Sequence, residues 1–194
     1  MTTATLVLGL GNPTRGDDRV GLEVVAEVET ALADLDVPSV DVRRTILSDV
    51  RLLDLIAGYD RVVVVDAVPV EPRAAGSWWH VDADEVAALE QSSAFAHGLS
   101  FGRLVSMARA EPDSPASVEA VLVGIEREST GRDTLSETLS PEIRSVVEPA
   151  RDAVLSTLEG VADHPRLETE GERSGIARNH SGSERTNKSW RDSP

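Results

Sequence analysis

Asp17-Asp18, Asp66 and His97 are the residues whose types could do chemistry together. Two carboxylates and an imidazole form a donor set that suits a divalent transition metal such as nickel or zinc. Their separations in the chain match no local ligand motif, so only a fold can unite them. Asp66 closes a run of four valines, Val62 to Val65, at the rim of what reads as core. An unpaired carboxylate there is costly. The sequence leaves two readings of Asp66 level: a structural cap or arginine partner, and a working acid. His97 lies in Ala96-His97-Gly98-Leu99-Ser100, a loop leading into a helix, and taken alone it is as well explained by packing or by surface exposure.

Other candidate chemistries fall away. Gly9-Leu10-Gly11 begins like a dinucleotide fingerprint, but Pro13 and Thr14 follow and the loop ends in two carboxylates. Those would oppose a pyrophosphate at the next helix N-terminus. No Gly-x-Ser-x-Gly occurs to make a serine nucleophile elbow. With no cysteine in the chain, disulfides, thiolate metal sites and a cysteine nucleophile are excluded. His80 follows Trp78 and Trp79 in a strand-like segment, where packing accounts for it, and His164 and His180 fall in a polar tail.

The elements that must position the three residues follow from hydrophobic period and turn chemistry. Thr5 to Leu10 reads as a buried strand ending in the turn-rich stretch Gly11 to Asp18. Val20, Val24, Val25, Val28, Leu32 and Leu35 recur at helical spacing. Val40 to Arg44 alternates weakly as a second strand. Ser48 is placed to cap a helix carrying Val50, Leu53 and Ile56 and stopping at Gly58. Arg61 to Val65, apolar on both faces and closed by Asp66, belongs in the middle of a covered sheet. Trp78 to Val81 and Val118 to Ile125 read as further strands. Asp82 opens a capping-box pattern with Glu85, and Ser100 can cap a helix from Phe101 to Ala110. Ser140-Pro141-Glu142 opens a last helix running to about Leu158.

This alternation predicts an α/β fold, a three-layer sandwich with a mostly parallel, twisted sheet of about five strands and helices on both faces. Ligands of such sheets bind beyond the carboxyl ends of the strands, where Asp18 and Asp66 both fall. Residues 1–162 form the expected domain, and the polar stretch 163–194 reads as a disordered tail.

Charge narrows the partners. The net charge is −15, and the stretch Asp163 to Pro194 carries six acidic and six basic residues, so the whole imbalance lies before it. Such a surface repels phosphate backbones, which argues against nucleic acid. The start of the chain does not resemble a signal peptide, and no apolar stretch is long enough to span a bilayer. A cytoplasmic protein with no membrane partner is expected.

The stretch Leu8 to Gly21, with Gly9, Gly11, Asn12, Asp17, Asp18 and Gly21, resembles the opening of the hydrogenase maturation proteases. Asp66-Ala67 and His97-Gly98-Leu99 match two further motifs of that family. Val123-Gly124-Ile125-Glu126 and Leu139-Ser140-Pro141-Glu142 match its last strand and the start of its final helix. The resemblance implies an endopeptidase that removes a C-terminal extension from the large-subunit precursor of a nickel–iron hydrogenase. It further implies that Asp18, Asp66 and His97 are the catalytic and metal-contacting residues. Nickel would be supplied by the precursor, and no organic cofactor is expected. One departure stands out: Arg43-Arg44-Thr45 occupies a position where the family has small residues before its threonine. Were that loop to border the site, Arg44 would narrow it and add positive charge.

Two other readings remain at this point. Gly9-Leu10-Gly11-Asn12-Pro13 also resembles the start of peptidyl-tRNA hydrolase, but no histidine lies between Pro13 and Gly21 and the acidic surface is unsuited to tRNA. A non-catalytic metal- or protein-binding member of the fold is the other.

Overall fold

The computed structural model describes residues 4–33, 39–47, 50–70, 74–82, 113–126, 135–159 and 178–179. Valine-rich segments, whose branched side chains fit a covered pleated surface, supply the strands: β1 (Thr5–Leu10), β2 (Val40–Thr45), β3 (Arg61–Val70), β4 (Trp78–Asp82) and β5 (Ser117–Glu126). A two-residue β6 (Arg178–Asn179) completes one sheet in the order β2-β1-β3-β5-β4-β6. The first four in that order run parallel, and β4 is antiparallel to both of its neighbours. The architecture is the expected mostly parallel α/β sheet. Of the stretch 163–194, only Arg178 and Asn179 belong to the described residues, paired with His80 and Trp79.

Period-two alternation divides the core between the two faces. Val62 and Val64 join Leu6, Leu8 and the α2 (Leu52–Ile56) residues Leu52 and Ile56 on one side. Val63 and Val65 join Val7 on the other, under α1 (Val20–Leu32) and α4 (Val147–Glu159). There Val20, Val24, Val25 and Val28 meet Val147, Ala150, Val154 and Leu158. Each of these side chains is nearly or fully removed from water, worth roughly 1.5–3 kcal/mol for a valine or leucine. Among the described residues, no helix is long and apolar enough to cross a membrane.

Three expectations need adjustment. Asp66 does not end its strand: β3 continues to Val70, because β5 is long enough to pair with it from Arg61↔Ser117 through Val70↔Glu126. The register with β1 stops at Gly9↔Val65, so Asp66 is the first residue of β3 not paired with that neighbour. Val50 is 48% exposed and no part of the core, since α2 begins only at Leu52. The last helix is broken into α3 (Pro141–Arg144) and α4 across Ser145 and Val146. Pro149 explains the break: it has no N–H to offer the Ser145 carbonyl, and its ring crowds that carbonyl. Ser145 Oγ donates to Glu142 O at 2.7 Å, consistent with the tightened turn. The expected caps at Ser48 and Ser100, the helix opened from Asp82 and the helix Phe101 to Ala110 lie outside the described residues, Asp82 itself being the end of β4.

The order β2-β1-β3 reverses the direction of winding at β1, so the crevice of the sheet opens at the carboxyl ends of β1 and β3. The start of α1 is pressed onto that crevice. A Cβ placed on Gly21 would lie 2.3 Å from Leu10 O and 2.5 Å from Val65 O, and one on Gly9 would lie 2.5 Å from Gly21 O. All of these neighbours are backbone atoms and have no rotamer to move. Gly21→Ala must therefore lift the helix off the sheet, and it is expected to lower unfolding stability by about 2 kcal/mol or more. Urea titration measures this, and an unchanged midpoint would show that the contact is not tight.

Candidate functional site

The chain leaves β1 through a turn built by local side-chain bonding. Asn12 Oδ1 accepts from Thr14 N at 3.0 Å and from Thr14 Oγ1 at 2.8 Å, and Arg15 N donates to Asn12 O at 3.1 Å. A 3₁₀ turn, Gly16–Arg19, then leads straight into α1. Gly11, at φ +149, lets this turn fold back onto the end of β1: a Cβ there would lie 2.3 Å from Asp18 O. Only glycine combines that φ with that approach.

The turn is also tied to the segment before α3. Gly16 N donates to Ser136 O at 2.7 Å and Ser136 N to Thr14 O at 3.0 Å, forming a parallel bridge between Arg15 and Ser136. The Arg19 guanidinium bonds Glu137 O and Pro13 O and pairs with Glu23. Asp17 is buried, and its Oδ1 accepts from Ser140 N at 2.7 Å. Ser140 in turn caps α3, its Oγ accepting from Ile143 N at 3.3 Å.

Within this frame Asp18 and Asp66 come within electrostatic reach of each other. Burial raises the pKa of Asp18, opposed by the charge of Arg15 and a hydrogen bond from the Asn12 backbone. Burial raises that of Asp66 to about 7, opposed by a 2.8 Å bond from Ala67 N and reinforced by the negative charge of Asp18. Among the described residues Asp66 has no arginine partner. Two acids with raised pKa values at the open end of a sheet, one of them raised in part by the charge of the other, suit a cationic ligand, whose charge would offset both. Among the described residues no third His, Cys, Asp or Glu completes a metal-holding group, and His97 lies outside them.

Another acid of the sheet behaves in the opposite way. Glu119 accepts from Arg61 Nη2 at 2.6 Å and lies 2.9 Å from His80 Nε2. The bond to His80, with help from Arg61, holds its pKa below the usual value against burial. His80 is thus exposed and bonded to Glu119, where packing had been expected to explain it.

Arg44 does not narrow the crevice. Its Nη2 lies 2.9 Å from Glu29 Oε2, nine residues into α1 and so about 13 Å down the helix from the site. No local pattern signals the bond from the Ser140 amide to Asp17, whose members are 123 residues apart. The Asp-Asp doublet and the Ser-Pro cap were each visible, but nothing in the chain joins them.

Asp66 is expected to destabilise the fold above neutral pH. Its folded pKa lies above the roughly 3.9 of an unfolded aspartate, so the native chain binds this proton more tightly. The stability it lends is complete below about pH 4 and is lost as pH rises through about 7. Asp66→Asn should therefore melt above the parent at pH 8, by up to about 4 kcal/mol, with the gap closing towards pH 5. A gap that does not vary with pH would contradict the raised value.

Comparison with known proteins converges on one family. The family model described as hydrogenase maturation protease matches residues 47–157. A curated relative, the hydrogenase 2 maturation protease of Escherichia coli, is 28% identical over 163 residues, covering 83% of this chain and 95% of its own. Among solved structures, the hydrogenase maturating endopeptidase HybD of Escherichia coli is similar at 25% identity and a TM-score of 0.63, over 81% of this chain and 93% of that one. The NiFe hydrogenase maturation protease HybD of Thermococcus kodakarensis shares the fold at 22% identity and a TM-score of 0.57, over 80% of this chain and 99% of that one.

Proposed function

The chain belongs to the hydrogenase maturation protease family and is an endopeptidase, and from that premise we propose that it removes a C-terminal extension from the nickel-loaded large-subunit precursor of a nickel–iron hydrogenase. Membership sets aside the peptidyl-tRNA hydrolase reading. The observation that carries the proposal is the carboxylate pair, Asp18 and Asp66, half-buried at the sheet's crevice with the pKa of Asp66 raised to about 7. Arg15 offsets part of the cost at Asp18, and a ligand that brings further positive charge would stabilise both acids.

On this reading nickel is part of the substrate, held by the precursor, and the protease brings two carboxylates and the His97 imidazole to it. Oxygen and nitrogen donors of this kind suit a divalent first-row metal. A precursor without nickel would leave the two acids facing each other uncompensated, so binding energy discriminates loaded from empty substrate. Asp66 must lose its proton to act as a donor, and processing is expected to weaken as pH falls below about 7. The enzyme would work in the cytoplasm, where the precursor is made.

Incubation of the purified protein with precursor, followed by mass spectrometry of the C-terminal peptide, tests the proposal. Release is expected from nickel-loaded precursor only, and Asp18→Ala or His97→Ala should abolish it. Equal cleavage of loaded and empty precursor would refute the role of nickel. Unchanged processing by the variants would show that the ligands are wrong.

A further inference from the structure

We infer that Asp17 is a positioning residue of this endopeptidase, whose bond to the Ser140 amide fixes where Asp18 stands against Asp66; this rests on the reading of that pair as the working acids. The turn that carries Asp18 has only four residues, Gly16–Arg19, and its N-cap Arg15 makes no side-chain capping bond. So short a 3₁₀ segment does not hold its own direction. Successive residues on it point about 120° apart, so the two acids of the doublet face different ways.

Asp17 is 8% exposed and receives the Ser140 amide at 2.7 Å, while Asp18 interacts electrostatically with Asp66. The far end of the Asp17 bond is rigid. Ser140 caps α3, and α3 seats Ile143, 1% exposed, in the same core as Val20 and Val24 of α1. The turn is therefore gripped from both sides: Gly11 presses its backbone against β1, and Asp17 fastens its outer side to α3. A short hydrogen bond to a backbone amide is directional, which suits the setting of a neighbouring side chain. The doublet thus divides its work, one acid anchoring and the other meeting the ligand.

Steady-state kinetics on nickel-loaded precursor, with Asp17→Ala and Asp17→Asn, test the inference. Asparagine offers Oδ1 to the same amide, and alanine offers nothing. Asp17→Ala should lower kcat by about 10²-fold, the scale of a misplacement of about 1 Å, with KM unchanged and circular dichroism retained. Asp17→Asn should restore kcat. Should the alanine variant unfold, Asp17→Glu keeps the charge but shifts the turn by one methylene, and should show the same loss of kcat. Wild-type kcat in the alanine variant, or in the glutamate variant where that replaces it, would overturn the inference, as would equal losses in the alanine and asparagine variants. The carboxyl carbon resonance of Asp66 gives a readout independent of cleavage. It should move in Asp17→Ala and return in Asp17→Asn, and its failure to move would overturn the inference. If wild-type protein cleaves no precursor, the proposed substrate is wrong, and this resonance still decides the role of Asp17.

Discussion

No side chain separates the start of α1 from the ends of β1 and β3, and the site depends on that contact. Gly21 meets the carbonyls of Leu10 and Val65, and Gly9 meets the carbonyl of Gly21. With a methyl group at either glycine the helix would have to stand off from the sheet. The 3₁₀ turn just before α1 would move with it, taking Asp18 away from the residue that follows Val65. That residue is Asp66. Backbone lying on backbone thus converts a sheet topology into a distance between two carboxylates. The winding order makes this the right place for them, since β1 and β3 splay their carboxyl ends where the chain reverses direction.

The electrostatics separate acids whose charge is partnered in the fold from acids whose charge is penalised by it. Glu119 sits between Arg61 and His80, and its pKa falls despite burial. Among the described residues Asp66 is bonded only by the amide beside it; it feels the negative charge of Asp18, and its pKa rises to about 7. One arrangement satisfies a charge and the other leaves it waiting. Holding Asp66 as an anion costs stability, which proteins tolerate where activity requires it. The −15 net charge adds to the same cost. Arg44 does not relieve it, because Glu29 holds that guanidinium on the flank of α1.

The parts of the fold that obey a local rule could be read from the chain. Valine runs gave the strands, the 3.6-residue period gave α1, and Ser140-Pro141 gave the start of α3. The parts that depend on a distant partner could not. β3 runs past Asp66 only because β5 is long enough to pair with it, and β4 is antiparallel although nothing in Trp78 to Asp82 specifies direction. Pro149 was in plain view, yet a proline in the first turn of a helix is ordinary. Its effect on the Ser145 carbonyl emerges only once α3 and α4 are both present. In the site, the approach of Asp18 to Asp66 followed from strand order, whereas the tie from Asp17 to Ser140 joins two loops far apart in the chain. His97 was reached through resemblance and lies outside the described residues.

The two acids come to the site by separate routes. Asp66 lies within the span matched by the family model, residues 47–157, and Asp18 lies before it. What joins Asp18 to Asp66 is the close backbone contact at Gly9, Gly11 and Gly21. Those glycines constrain position 18 more tightly than any motif around Asp66 does. They forbid other placements of the turn, whereas an aspartate after a valine run has several structural uses. The carboxylate pair therefore follows from a packing constraint in the first 21 residues, and the catalytic class follows from the remainder of the domain.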